Sequence, residues 1–226
     1  MRVNYIYGIA AGALLSTAAP KRQSQVDSII DKAVATYNKT KTSKGTFEQA
    51  ITNPLTGTTV KASGQFQQQR QPARVSLRFS QPKGDMIIGD GKWLWVYLPS
   101  STPNQVIKVP MTEGGAGSLD LASRFFDSPK TRFTITDAGA ATVGGRATRA
   151  LVLQPKASTE PFTRAKVWID AADGTLRQFE TVESSGITRL VTVTAVTPNV
   201  PVDQKSFTFK PPKGARIVDQ TVLGGR

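Results

Sequence analysis

The sequence predicts a mainly β chain (α+β class), built as an incompletely closed antiparallel β-barrel of roughly 11 strands. Three observations lead there. From Gly45 onward, short runs in which apolar and polar residues alternate follow one another, separated by turn residues, as in an antiparallel meander. Only two stretches carry apolar residues at helical spacing. The 226 residues include 19 Gly and 14 Pro, enough for many turns, and a 38% hydrophobic fraction that suits an ordered core. A twisted antiparallel sheet of that many strands curls, and one that stops short of closing keeps a concave apolar interior.

Residues 1–19, MRVNYIYGIAAGALLSTAA, hold an early Arg2, an apolar run from Ile6 to Leu15 and then small residues, the pattern of a cleaved secretory signal. The run is shorter than the about 20 apolar residues of a bilayer-spanning helix. Cleavage is expected after Ser16-Thr17-Ala18, giving a signal peptide over 1–18 and a single domain over 19–226. Next, SQVDSIIDKAVATYNKTK (24–41) sets Val26, Ile29, Ile30, Ala33, Val34 and Tyr37 on one helical stripe, with Ser24 and Asp27 as a capping-box-like start. That stripe is expected to pack on the sheet.

Strands are predicted over 46–52, 58–69 and 73–80. In the third, Val75, Leu77 and Phe79 share one face while Arg74, Ser76 and Arg78 share the other. The stretch MIIGDGKWLWVYLP (86–99) reads as a hairpin with Asp90-Gly91 as a two-residue type I′ turn, pairing Ile88 with Trp93 and Ile87 with Leu94. Ile87, Leu94, Val96 and Leu98 then share a face opposite Met86, Ile88, Trp93, Trp95 and Tyr97. Both faces are apolar, so a helix is expected on one and a second layer on the other. The QPKG linker (81–84) leaves open which face continues the Val75 wall.

MTEGGAGSLDLASRFFDSP (111–129) places a glycine-rich segment before a short apolar helix containing Leu119, Leu121, Ala122, Phe125 and Phe126, ended by Pro129. It reads as a lid on a flexible hinge, or as a connector helix plugging one end of the sheet. Further strands are predicted over 132–136, 147–154, 163–170, 176–183, 187–196 and 207–209. Asp90 and Asp173 read as turn formers.

The chain has no Cys and no His, which removes Ser-His-Asp and Cys-His catalysis, disulfides and His-rich metal sites. A carboxylate-only mechanism survives in principle, but the 16 acidic residues are mostly isolated or in turns. The formal charge of +13 favours acidic partners or anionic lipid head groups. Nucleic acid is not expected as a partner, because the chain carries an export signal and no basic run beyond Lys21-Arg22.

Four segments in order carry a family resemblance: IIGDGKWLWVYLP (87–99), LVLQPKAS (151–158), DGTLRQFE (173–180) and FTFKPPKGARIVDQ (207–220). With the order of elements, they resemble the periplasmic outer-membrane lipoprotein carrier family, LolA, over nearly the whole mature chain. The resemblance implies a β half-pipe with helices covering its concave side. It implies a chaperone that takes acylated lipoproteins from an inner-membrane ABC lipoprotein-release complex, carries their acyl chains in a hydrophobic cavity, and hands them to an outer-membrane lipoprotein receptor or to the outer membrane itself. No enzymatic step, nucleotide, metal or other cofactor is implied, and the expected state is a periplasmic monomer. The family's acyl-chain pocket maps onto Val75, Leu77 and Ile87, with Phe79 added by alternation and Leu94 by the hairpin register. Where the family has large aromatics, Val75 and Leu77 are aliphatic. Leu119, Leu121, Phe125 and Phe126 map onto its lid, and Arg70 onto the arginine that latches the lid. A guanidinium can bond several carbonyls at once, which a Lys does less well. The alternatives are a periplasmic lipid or glycolipid binding or sensing module of the same fold, and a carboxylate enzyme on envelope glycans.

Overall fold

The computed structural model describes residues 18–111 and 122–219. Apart from Ala18, the expected signal peptide lies outside them, as do Leu119 and Leu121. Among the described residues no helix is long and apolar enough to cross a membrane.

The first helix, α1 (Ala18–Lys39), begins six residues before the Ser24 start that capping chemistry suggested. The preceding AAPKRQ is rich in good helix formers, and their propensity overrides the local cap signal. Val26, Ile30 and Ala33 are buried in the core, as the stripe required.

Twelve strands form one open sheet: β1 (Thr42–Asn53), β2 (Thr58–Gln69), β3 (Arg74–Gln81), β4 (Met86–Gly89), β5 (Trp93–Tyr97), β6 (Gln105–Pro110), β7 (Phe133–Val143), β8 (Arg146–Pro155), β9 (Arg164–Asp170), β10 (Leu176–Val182), β11 (Thr188–Pro198) and β12 (Arg216–Asp219). Two single-turn helices, α2 (Ser123–Phe126) and α3 (Pro129–Arg132), precede β7. The order across the sheet is β12-β6-β5-β4-β3-β2-β1-β11-β10-β9-β8-β7, so its two edges are not paired with each other. Register shifts in the pairs β1/β11, β2/β3, β9/β10 and β7/β8 add local twist and bend. At two of them the backbones approach so closely that only glycine fits: a Cβ on Gly45 would strike the Ala195 carbonyl, and one on Gly64 the Arg78 carbonyl.

The half-pipe expected from the sequence is therefore present, with three corrections. Gln105–Pro110, not predicted, is a strand because it has a partner on each side. Residues 207–209 are not a strand; Gln204–Phe207 form a 3-10 turn started by Asp203, whose side chain accepts from the Lys205 N–H. The terminal β12 runs parallel to β6, the one parallel pair of the sheet. That geometry follows from where β11 ends. The chain leaves the middle of the sheet, crosses its convex face and arrives at the far edge.

This crossing supplies the second layer of the β4–β5 hairpin. Phe209 packs on Trp95 and Tyr97 at ring separations of 5.7 and 6.0 Å, and Phe207 is buried. Arg74 donates to Gln204 Oε1 at 2.8 Å, fixing the crossing segment to β3.

The hairpin register differs from the expected one. Gly89 pairs with Leu94 and Ile88 with Trp95, so the loop is four residues, not two. Asp90 builds it: its carboxylate accepts from the backbone N–H of Lys92 (2.8 Å) and Trp93 (2.7 Å) and from the Trp95 indole (2.9 Å). Burial opposes ionisation of Asp90, but those bonds and the charge of Arg74 outweigh it and hold its pKa below the ordinary value. A shift of two residues preserves parity, so the expected division of the two faces survives the wrong register.

Candidate functional site

Which face of the hairpin is concave follows from the pairing of β3 with β4. Leu77 lies opposite Ile87, while Ser76 lies opposite Ile88. Side chains directly across a ladder point the same way, so the Ile87 and Val96 side continues the Leu77 wall and the tryptophans face the convex layer.

The same alternation carries the wall across the sheet. Phe66 lies opposite Leu77, Phe47 opposite Val193, Gln49 opposite Val191, and Phe179 opposite both Val191 and Val167. The result is a concave surface of Phe, Leu, Ile and Val whose deeper parts form the core.

Two helices cover it unequally. Lys32 of α1 donates to the Ala171 carbonyl and Thr36 to the Asp173 carbonyl, both at 2.7 Å, seating α1 on the β9–β10 turn. Asp170 holds that turn. Its buried carboxylate accepts from Arg146, from Arg177 at 2.9 Å and from the backbone N–H of Ala172 and Asp173. Burial opposes ionisation, yet these bonds hold the Asp170 carboxyl well below the usual carboxylate range. Under the C-terminal half of α1, between Ala33, Tyr37, Phe66, Phe126, Leu176 and Val193, only about 90 Å³ of space remains.

Beyond α2 the surface opens into a cavity of about 440 Å³, within the range of small-ligand sites. Leu77, Phe79, Ile87 and Phe125, four residues singled out from the sequence, line it. Phe125 is fully buried, 5.1 Å from Phe179 and 6.0 Å from Phe162 between ring centres. Phe126 points to the other side, towards Tyr37 at 6.3 Å. Val75 is buried in the core near Gly89 and Met111, and Leu94 shares its face beside Gly89; neither lines the cavity.

Arg70 donates to the Tyr37 carbonyl at 2.8 Å and lies over the Tyr37 ring at 3.9 Å. It thus binds the end of α1, and Tyr37 is what joins it to Phe126.

Sequence reasoning missed Phe47, Ile51, Leu98, Phe162, Phe179 and Val191, all cavity-lining. Strand alternation carries a signal for Phe47, Ile51, Phe179 and Val191, but the sequence does not say that β1, β10 and β11 lie beside β2 in one trough. Three charged residues also line the cavity: Arg124 from α2, Arg189 from β11 and Glu183 after β10. The signal for Arg189 is its place in the alternating set Arg189, Val191, Val193. Burial lowers the pKa of both arginines; for Arg124 the positive charge of Arg189 adds to the effect, and for Arg189 the charge of Glu183 opposes it. Among the described residues, no three Asp or Glu gather as a metal-holding group.

A family profile described as "Outer membrane lipoprotein carrier protein LolA" matches residues 38–210. The chain is 29% identical over 174 residues to the outer-membrane lipoprotein carrier protein of Haemophilus influenzae, covering 77% of this chain and 78% of that one. It is 27% identical over 217 residues to the carrier protein of Cupriavidus necator, covering 93% and 95%. Among solved structures, an uncharacterized conserved protein from Thermus thermophilus superposes with a TM-score of 0.54 at 13% identity, over 86% of this chain and 99% of that one. MucB does so with a TM-score of 0.52 at 11% identity, over 83% of this chain and 63% of that one. At such identities the structures show the shared fold alone, whereas the profile covers most of the sequence. This chain belongs to the outer membrane lipoprotein carrier protein family, LolA.

Proposed function

We propose that this protein is a periplasmic lipoprotein carrier. It takes the acyl chains of lipoproteins leaving the inner membrane, holds them in the cavity and delivers them to the outer membrane, working as a monomer and without a covalent step. The observation that carries this reading is the cavity of about 440 Å³ walled by Phe47, Leu77, Phe79, Ile87, Phe162 and Phe179. The curated relatives bearing the carrier name support it. An acyl chain of about 15 methylenes exposed to water costs on the order of 12 kcal/mol at ~0.8 kcal/mol per CH₂, so free diffusion of cargo is excluded. Apolar walls without a fixed polar pose suit flexible chains, and a weak plug suits release.

In this reading Leu77, Phe79 and Ile87 form one wall of the acyl site, and Val75 and Leu94 back the same face beside it. The segment with Leu119, Leu121, Phe125 and Phe126 is the lid, and Phe125 occupies the cavity until cargo displaces it. Arg70 latches the lid through Tyr37 and Phe126. The donor is the inner-membrane ABC lipoprotein-release complex, and the acceptor an outer-membrane receptor or the membrane itself. Incubating purified protein with spheroplasts should release newly made lipoproteins as a soluble complex with it. Lipoproteins that stay in the inner membrane at saturating protein would refute the reading.

A further inference from the structure

We infer that the tip of the β1–β2 hairpin touches membranes, with Leu55 dipping into an anionic bilayer so that acyl chains pass directly between bilayer and cavity. The inference rests on the acyl-carrier reading above and names how cargo crosses the cavity mouth.

The open cavity faces one end of the sheet. Its outer lining comes from Ile51 near the end of β1, Leu98 after β5, Glu183 after β10 and Arg189 near the start of β11. Asn53, the last residue of β1, lies two residues or about 7 Å beyond Ile51, and the turn 54–57 extends farther. Three large hydrophobics are exposed among the described residues. Ile217 sits in β12 at the far edge of the sheet, whereas Leu55 (87% exposed) and Val60 (62%) both belong to this hairpin.

They continue the apolar lane of the cavity itself. Phe47 lies opposite Gly64, Gln49 opposite Ala62 and Ile51 opposite Val60, and residues directly across a ladder share a face. The concave side of β1 and β2 thus runs from buried Phe47 through half-buried Ile51 to exposed Val60, and ends at Leu55. The turn itself holds Leu55 outward. The Asn53 side chain accepts from the Leu55 N–H at 3.0 Å, the Thr56 and Thr58 hydroxyls bond at 2.7 Å, and Gly57 takes a φ of +67°. On the neighbouring β10–β11 turn, Gly186 lies against Pro54; a Cβ there would stand 3.2 Å from the ring.

An exposed leucine carries a hydration cost that a bilayer removes. One leucine is too little to anchor a protein, since even a whole myristoyl chain binds only marginally and reversibly. The contact is therefore brief, and the carrier leaves again. Exposed Lys61 in β2 and Lys83 in the β3–β4 turn, at the same end, and the formal charge of +13 match anionic head groups. A bilayer offers both chemistries at once, negative charge at its surface and hydrocarbon just beneath.

The test loads mature protein with a fluorescent fatty acid and reads its transfer to vesicles of phosphatidylethanolamine and phosphatidylglycerol as vesicle concentration is raised. Transfer by contact makes the rate rise with vesicle concentration, whereas escape through water leaves it constant. The wild-type rate should rise. Leu55→Ser should slow transfer about tenfold with fatty-acid affinity and melting temperature unchanged, and Leu55→Phe should restore it. A rate independent of vesicle concentration overturns the inference and leaves the acyl cavity standing. So does Leu55→Ser transferring as fast as the wild type, the result expected if the tip meets a protein acceptor instead. If the wild type binds no fatty acid, the acyl-carrier reading falls, and sedimentation of unloaded protein with the same vesicles decides the tip separately. Pelleting that Leu55→Ser abolishes supports the tip, and no pelleting of the wild type overturns it.

Discussion

The two ends of the concave face are made by the same strands and finished differently. At one end α1 lies across the trough, seated on the β9–β10 turn, and Ala33, Tyr37, Phe66, Leu176 and Val193 close around about 90 Å³. At the other, beyond α2, Phe47, Phe79, Phe162 and Phe179 face about 440 Å³, with Phe125 set among them. A long helix with a continuous apolar stripe excludes water and stabilises the fold; a single-turn helix covers less and leaves room. Substitutions at the closed end should therefore cost stability, and those at the open end should cost ligand affinity.

The largest expected effect is at the closed end. Asp170→Asn leaves Arg177 and Arg146 facing a neutral amide beneath the turn that carries α1, and should destabilise by about 3 kcal/mol or more in urea unfolding. The wild-type contribution depends on pH with a definite sign. The native carboxyl titrates below its ordinary value of 3.8, so its stabilisation is complete above that pH and is lost as the pH falls towards the native value. The wild type should be less stable at pH 3 than at pH 6, and Asp170→Asn should flatten that difference. An unchanged acid limb in the variant would remove Asp170 as its cause.

Ile30→Ala, at a fully buried position of α1, should cost about 3 kcal/mol with probe binding in the open cavity unchanged. If it abolishes probe binding while stability holds, the two ends are not separate. Gly174→Ala should cost about 1–2 kcal/mol, because φ is +75° and the new Cβ would lie 3.0 Å from the Lys32 carbonyl. A neutral result by thermal melting would mean that α1 is seated less firmly than its contacts imply.

Arg70→Leu removes a bond to the Tyr37 carbonyl and a cation–π contact, a loss of about 1–2 kcal/mol. In a hand-off assay it should keep cargo on the carrier longer, and normal release would remove the latch proposal. Ile87→Ala, half-buried on the open wall, should change stability by less than about 1.5 kcal/mol yet weaken binding of a lipid probe. Unchanged probe affinity would take Ile87 out of the acyl wall.

Much of this is legible in the residues themselves. The α1 stripe, the wall of Leu77 and Phe79, and the division of the 86–99 hairpin into two faces follow from periodicity alone. The hairpin division survived a wrong loop length because side chains repeat every two residues, so only an odd slip exchanges the faces. The length of α1 differs from the sequence reading because a cap signal at Ser24 is local, whereas the helix propensity of the preceding AAPKRQ carries the helix past it. Strand β6 is missed by the sequence reading. Val106, Ile107 and Val109 favour a strand, but QVIKVP shows no clean alternation and ends in proline, and its pairing with β5 and β12 is what decides it.

The sequence by itself determined which residues can share a face, which chemistries are absent, and that many short strands must make a large curved sheet. Those are consequences of local geometry and composition, and hold whatever the strand order. Only the tertiary structure decided that the tryptophan face is sealed by the returning C-terminal chain. Only it placed Arg189 and Arg124, 65 residues apart, in one apolar cavity. Such neighbours are set by how distant strands pair and where the chain crosses the sheet, and no local periodicity encodes either.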